Sequence, residues 1–304
     1  MNVFVTGGTG GLGRDLVQRL TSDGHQVVML TRRSLSDCGN ARAVIGDILA
    51  PESYAGVLKG QDAVLHMAAV THAVDPDRYY AVNTRGTEAL VEAAAAAGVR
   101  RFVFVSTRAV GAECGAYGDS KALAEDVVRT SGLAWTILRP AEVYAPPGRQ
   151  GEENRTLSQS NPGGEAVGRM LEAVRLWPVV PFVAHPRALL APVCRGDIVA
   201  AIARSLDCPA AVGKTYSLAG PEVMTQAALA RRLMRLLGRR RPLLPVPVAA
   251  LRLVVLVSRL LGLSAPPFVP DQIARLLCVK DEATGAAGRD LDFAPRSIEQ
   301  TLVE

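Results

Sequence analysis

With 304 residues, 49% of them apolar, the chain can hold one large α/β domain, or a nucleotide-sized domain with a smaller appendage. The formal net charge of +5 comes from mostly scattered basic residues and aromatics make up 5%, so the aromatic-interleaved basic stripe of a nucleic-acid binder is missing. The cysteines, at 38, 114, 194, 208 and 278, have neither paired metal spacing nor a disulfide framework. They are expected to be reduced thiols in a cytoplasmic protein without a metal site. A strand starting at residue 3 leaves no room for a signal peptide.

That strand, Val3-Phe4-Val5, is followed by glycines at 7, 10 and 13 and then by Leu12, Leu16, Val17 and Leu20 at helical spacing. Gly7 suits a sharp turn, Gly10 a close approach of backbone N–H groups to a pyrophosphate, and Gly13 close packing of helix on strand. Unpaired N–H groups and the helix dipole then favour an anion at the helix N-terminus. Val27 to Leu30 is the second strand, and just past it stand Thr31-Arg32-Arg33 where an acid would meet a ribose 2'-hydroxyl. Two guanidinium groups suit a 2'-phosphate instead, so NADP(H) is favoured over NAD(H).

Val44 to Ile48 reads as a third strand whose Asp47 reaches toward the adenine, and Asp62 to Ala69 as a fourth that runs into small residues. His66 within it is read as structural. Asn83 to Thr87 leads into an alanine-rich helix, Glu88 to Ala97, closed by Gly98. The strand Arg101 to Val105 follows. Strands alternating with helices at this interval predict a Rossmann-type, doubly wound parallel sheet, an α/β fold.

Ser106-Thr107 lies at the carboxyl end of that strand, where open α/β sheets bind ligands. Tyr117 and Lys121, four apart in a helical run, share a helix face. A nearby ammonium favours phenolate and would lower the tyrosine pKa toward that of a working acid or base. The Thr107 hydroxyl can hold a substrate oxygen while Tyr117 passes its proton.

Taken together, Thr6 to Gly13, Asp47-Ile48, His66 to Ala69, Asn83 to Thr87, Ser106-Thr107, Tyr117 with Lys121, and Leu138-Arg139-Pro140 through Val143-Tyr144 resemble an extended short-chain dehydrogenase/reductase of the NAD(P)-dependent epimerase/dehydratase kind. The resemblance implies hydride transfer at a secondary alcohol or ketone of a small molecule, a sugar or sugar nucleotide among them. It makes Tyr117 the acid/base, gives Lys121 the nicotinamide ribose and lets Thr107 orient the substrate. The cofactor would further meet Gly7, Thr9, Gly10, Gly11, Leu12, Gly13, Thr31, Arg32, Arg33, Asp47, Ile48, Met67, Ala68, Ala69, Asn83, Ser106, Pro140 and Val143. Glu142 and Arg187 are the candidate substrate residues. The resemblance implies a homodimer through the helices that carry Ala89–Ala97 and Lys121–Val128, although their alanine-rich face suits packing on the sheet equally well.

Three departures bear on the substrate. The interval from Thr107 to Tyr117 is shorter than in sugar-nucleotide epimerases. Glu142 replaces their asparagine, and an acid there would repel a diphosphate. Cys194 and Gly196 stand in place of His and Asp. The rival expectation is a dinucleotide-binding structural or regulatory protein without turnover, resembling the accessory subunit of respiratory complex I.

The border between the dinucleotide domain and a smaller mixed substrate region is placed at 145/146. Pro146 to Gly164 reads as a loop, Ala166 to Leu176 as a helix, Val179 to Phe182 as a short strand or turn, Ile198 to Leu206 as a helix, Tyr216 to Pro221 as a strand ending in a turn, and Ala227 to Leu237 as a helix. Arginines at 231, 232, 235 and 239–241 precede the apolar run Leu243 to Leu263, which Pro245, Pro247, Arg252 and Arg259 interrupt, so a membrane span is rejected. Leu251, Val254, Val255, Leu261 and Leu263 are assigned to one face of a substrate-region helix, and peripheral membrane contact is kept as a secondary reading. Near the end, Asp292 replaces the glycine of a Leu-Gly-Phe-x-Pro turn.

Overall fold

A computed structural model describes residues 1–35, 39–146, 166–262, 270–280 and 284–302. Seven parallel strands form its central sheet: β1 Asn2–Thr6, β2 Gln26–Thr31, β3 Arg42–Ile45, β4 Ala63–His66, β5 Arg101–Val105, β6 Ala134–Pro140 and, after four short strands in the intervening chain, β11 Lys214–Leu218. Their order is β11-β6-β5-β4-β1-β2-β3. Both faces of such a sheet are covered, so its strands are continuous apolar runs, as in β5, where all five residues are buried. The chain leaves β1 in one direction for β2 and returns on the other side as β4, which opens a crevice at the carboxyl ends of β1 and β4.

On one face of the sheet the helices Gly11–Ser22 and Arg195–Leu206 bury Leu16, Leu20, Ile198 and Ile202. On the other, Gly86–Ala96 and Gly115–Arg129 bury Leu90, Ala124 and Val128 against Phe102 and Phe104. A third core joins Tyr144, Val174, Leu229 and Leu233 in the second half of the chain. Three two-stranded sheets flank it: β7 Val143–Tyr144 with β10 Val193–Cys194, β9 Leu189–Leu190 with β12 Met224–Thr225, and β8 Val180–Val183 with β13 Leu243–Val246. Residues past 195 thus contribute both a strand and a covering helix to the dinucleotide half. Among the described residues no helix is long and apolar enough to cross a membrane.

Several expectations shift. β3 ends at Ile45 and β4 at His66, because the following residues turn away to the crevice: Asp47 sits in a turn whose carboxylate accepts from Leu49 N at 2.9 Å. The helix at Gly86 is entered through a π-helical segment, Tyr80–Arg85, and Gly98 closes it at φ 79°. The expected loop 146–164 lies, apart from Pro146, outside the described residues. The Val248–Leu260 helix ends before Leu261 and buries Leu251 and Val255 while Val254 and Leu261 are exposed, so these residues do not share one face; Leu263 lies outside the described residues. Asp292, in the expected glycine position, is left-handed at φ 53°, a conformation asparagine and aspartate tolerate better than most.

The reading of all cysteines as reduced thiols is also corrected. Cys114 and Cys278, 164 positions apart, come within 5.2 Å at their Cα atoms and form a disulfide. Their pairing depends on the return of the Pro270–Leu277 helix to the start of Gly115–Arg129, a contact no cysteine spacing encodes. Alkylation of the unfolded, unreduced chain is expected to miss Cys114 and Cys278 and to label both after reduction. Labelling of both without reductant would contradict the pairing.

Candidate active site

The glycine loop is built by contact. A Cβ on Gly7, at φ 77°, would lie 2.7 Å from the backbone of Met67 and Ala68, so the β1 turn is pressed against the chain leaving β4. A Cβ on Gly13 would lie 2.7 Å from Gly8 Cα, so helix and turn touch backbone to backbone. Gly10 is different: its Cβ would meet only Gly7 O, at 3.6 Å. Thr9, Gly10 and Gly11 are exposed, and the helix they open has no side-chain cap and no acid in its first turn. The N-terminal N–H groups are therefore free to take an anion. Arg195, ion-paired with Asp15 at 2.8 Å, adds a buried guanidinium beside Gly11. Arg32 and Arg33 are exposed just past β2, where the Thr31 hydroxyl donates to the Arg33 carbonyl.

The chain beyond β4 is held by side chains that face inward. Buried His66 bonds the hydroxyls of Thr6 (2.6 Å) and Thr87 (2.9 Å), and burial, with Lys121 adding to it, keeps its pKa well below the ordinary value. It is structural, as expected. Asn83 accepts from Val70 N at 2.8 Å and donates to Val70 O and Ser120 Oγ, so its amide clamps the 67–70 segment to the Gly115–Arg129 helix. The Ser106 hydroxyl likewise points inward and donates to Glu125 at 2.6 Å.

Tyr117 lies in the first turn of the Gly115–Arg129 helix. The Thr107 side chain approaches its hydroxyl, its ring stands edge-on to Tyr79, and the Arg275 guanidinium lies over it at 4.5 Å. Burial raises its pKa, opposed by Arg275 and by the Thr107 hydroxyl. The expected lowering by Lys121 is thus not what the site does: burial outweighs the cations, and the cation facing the ring is Arg275. Lys121, one turn on, is fully buried; it donates to Val105 O at 3.0 Å and sits 4.0 Å over Phe104. Burial brings its pKa down to about 7, against the pull of Glu125.

The Pro270–Leu277 helix roofs this group. Asp271 accepts from Tyr117 N at 3.0 Å and pairs with Arg275 at 3.1 Å, while Gln272 reaches His72 at 2.9 Å. Its other face, with Ile273 and Leu277, lines a cavity of about 650 Å³ shared with Glu113, Arg187 and Val255. The roof therefore stands between Tyr117 and that cavity.

Residues 7–170 match the family model described as NAD(P)H-binding, just over half of the chain. The chain belongs to the NAD(P)H-binding family. Within it, this chain is an extended short-chain dehydrogenase/reductase, as its relatives indicate. It is 34% identical over 149 residues to the ceramide reductase of Caulobacter vibrioides, a match spanning about half of each protein (47%). It is 28% identical to the 3 beta-hydroxysteroid dehydrogenase/Delta 5-->4-isomerase of Mycobacterium tuberculosis over 99% of this chain and 88% of that one. The structure of the UDP-glucose 4-epimerase from Thermotoga maritima superposes with a TM-score of 0.74 at 23% identity, covering 99% of this chain and 96% of the other, a likeness of fold.

For this NAD(P)H-binding family member, the glycine loop, Arg32 and Arg33, the 67–69 segment, Thr107 and Tyr117 gather around the crevice at the carboxyl ends of β1, β4 and β5. Asn83 and Ser106 are near it but spend their side chains on the scaffold. Glu142 is corrected: it pairs with Arg108 (2.9 Å) and Lys280 (3.1 Å) and accepts from Ala191 N (2.8 Å). Burial alone would raise its pKa, yet Lys280 and Arg108 hold it below the ordinary value. A carboxylate so neutralised leaves no free charge to repel a diphosphate. Arg187 lines the cavity beyond the roof rather than the group around Tyr117. Sequence reasoning missed Arg195, Arg108, Asp271, Arg275 and Lys280, whose partners lie far off in the chain; only Arg108, next to Thr107, carried a positional signal.

Two outcomes follow from this geometry. Gly10→Ala should keep its melting temperature yet lose dinucleotide affinity in a titration, whereas Gly13→Ala should melt about 5 °C lower because its methyl meets backbone; equal behaviour of the two would contradict the packing. Lys121 binds its proton below about pH 7 in the fold but up to its ordinary 10.5 when unfolded. The unfolded state holds the extra proton between these values, so native stability relative to Lys121→Met should rise by about 2 kcal/mol from pH 7 to pH 9. Urea unfolding of both proteins at the two pH values measures it, and parallel stabilities would refute the buried lysine.

Proposed function

We propose that the protein is an NADP(H)-preferring oxidoreductase that reduces a ketone to a secondary alcohol, with Tyr117 as proton donor. The observation that carries the reading is the placement of Tyr117 at the start of the Gly115–Arg129 helix, its hydroxyl approached by Thr107 just past β5, beside the crevice that the glycine loop opens. Gly10 and the helix N-terminus fit the pyrophosphate, and Arg32 and Arg33 fit a 2'-phosphate, whose bidentate oxygens match two guanidinium forks better than a hydroxyl does. The bound dinucleotide supplies the hydride.

The rest of the step belongs to the chain. Thr107 holds the carbonyl oxygen, and Tyr117 gives that oxygen its phenolic proton as the carbon is reduced. A pKa raised by burial keeps the phenol protonated, which suits the reductive direction. Arg275, over the ring, then stabilises the phenolate that remains. The names of the relatives include reductases, a dehydrogenase/isomerase and an epimerase, and the first two relatives are spanned over only about half of their length. A purely structural dinucleotide binder would place no demand on these two hydroxyls.

The test measures turnover and binding separately. Tyr117→Phe should lower NADPH-dependent reduction across a panel of ketones by at least about a hundredfold while NADPH still binds; undiminished rates would sink the assignment. Arg32→Ala with Arg33→Ala should weaken NADPH by at least about tenfold and leave NADH nearly unchanged, and equal losses would refute the 2'-phosphate site.

A further inference from the structure

The Val248–Leu260 helix has two apolar faces. Leu251, Val255 and Ser258 are buried, the first two against Ile273 with Val183 and Val246 beside them. Outside that core, Leu253, Leu256, Val257 and Leu260 repeat at the i, i+3, i+4, i+7 spacing that ordinarily marks a core-facing stripe, Leu256 at the rim of the cavity beside Ile273, with Val254 and Leu261 next to them. All six are between 39% and 77% exposed, an unusual cost for a monomer surface.

The charge along this stretch of the sequence is equally one-sided. Between residues 223 and 270 the sequence has eight arginines and no aspartate, glutamate or lysine, so with a net charge of +5 the rest of the chain is net negative. Arg232 is tied to Glu222 and Glu299, but Arg231, Arg235, Arg239, Arg240 and Arg241 line one groove, and among the described residues no carboxylate pairs with them. β13 starts right after them and runs parallel to β8, with Val180 N bonded to Pro242 O at 2.9 Å. Exposed Leu176 and Trp177, which precede β8, therefore arrive at the same end as Arg239 to Arg241.

We infer that exposed Leu176 and Trp177, Arg239 to Arg241 and the outward residues of the Val248–Leu260 helix form a docking surface for an anionic lipid bilayer. Exposed leucines and valines, a tryptophan, and unpaired arginines in a stretch without acids from 223 to 270 are the composition of an interfacial surface, whose apolar side enters the headgroup boundary while cations meet anionic lipid. Thirteen helical residues rise about 20 Å, short of the roughly 30 Å needed to span, so this helix lies in the interface. Nucleic acid would use the arginines but not the leucines, and a second copy would bring an equally positive surface against this one. The inference goes beyond the proposed reaction and does not depend on it.

The whole protein is sedimented with phosphatidylcholine vesicles, with and without about one-third phosphatidylserine. Binding is expected only to the mixed vesicles and should weaken with salt. Arg239→Ala, Arg240→Ala and Arg241→Ala combined should weaken it about a hundredfold, and Leu256→Ser with Leu260→Ser at least about tenfold. Circular dichroism and NADPH titration should be unchanged in both variants. No binding to mixed vesicles, binding indifferent to the leucine pair, or a dimer in sedimentation equilibrium that the leucine variant dissolves would each overturn the inference. So would equal affinity for duplex DNA.

Discussion

Glu125 is the carboxylate on which the site's geometry rests. It is completely buried in the Gly115–Arg129 helix and takes Ser106, at the end of β5, at 2.6 Å and Arg139, on β6, at 2.8 and 2.5 Å, with Arg129 closing the set. Burial alone would raise its pKa, but the bonds from Arg139 and Ser106 hold it below the ordinary value. Breaking such a buried pair by removing one partner costs about 3–5 kcal/mol, so the helix is fastened to the ends of two strands at once. Lys121 is one turn before this anchor and Tyr117 two turns before it. Fixing Glu125 therefore fixes where the phenol meets Thr107.

From that anchor the site divides into two sides. The crevice side is made of absences: no Cβ at Gly7 or Gly13, so backbones touch, and none at Gly10, so space remains. The Tyr117 side is made of contacts drawn from the far end of the chain, with Asp271 on the backbone of Tyr117, Arg275 over its ring and the Cys114–Cys278 bridge tying roof to floor. The roof covers Tyr117 and the sheet covers Lys121, and this is why burial dominates the ionisation of both. On the proposed reading, that same burial keeps the phenol protonated until a carbonyl oxygen takes the proton.

What was legible in the sequence was local. Strand β5 and the helix Ala166–Leu176 end where periodicity places them, because continuous apolar runs and helical stripes are properties of adjacent residues. The glycine spacing likewise announced a strand–turn–helix unit, and the family resemblance supplied Tyr117, Lys121 and Thr107. What stayed hidden was long-range. Glu142 looked like a lone acid until Arg108, Lys280 and Ala191 N closed around it, 34, 138 and 49 positions away. The roof, the disulfide and the true sign of the Tyr117 shift depend on residues 271–278, more than 150 positions from Tyr117. The Val248–Leu260 helix misled for another reason: its apolar residues serve two faces, and periodicity cannot say which one meets a core.

The most direct test of the account is a crystal structure of the protein with NADPH bound. The account predicts the pyrophosphate against the backbone around Gly10, the 2'-phosphate between Arg32 and Arg33, and the nicotinamide beside Tyr117, leaving room for a carbonyl about 3–3.5 Å from the hydride donor. A dinucleotide bound elsewhere, or one whose nicotinamide points away from Tyr117 and Thr107, would contradict it.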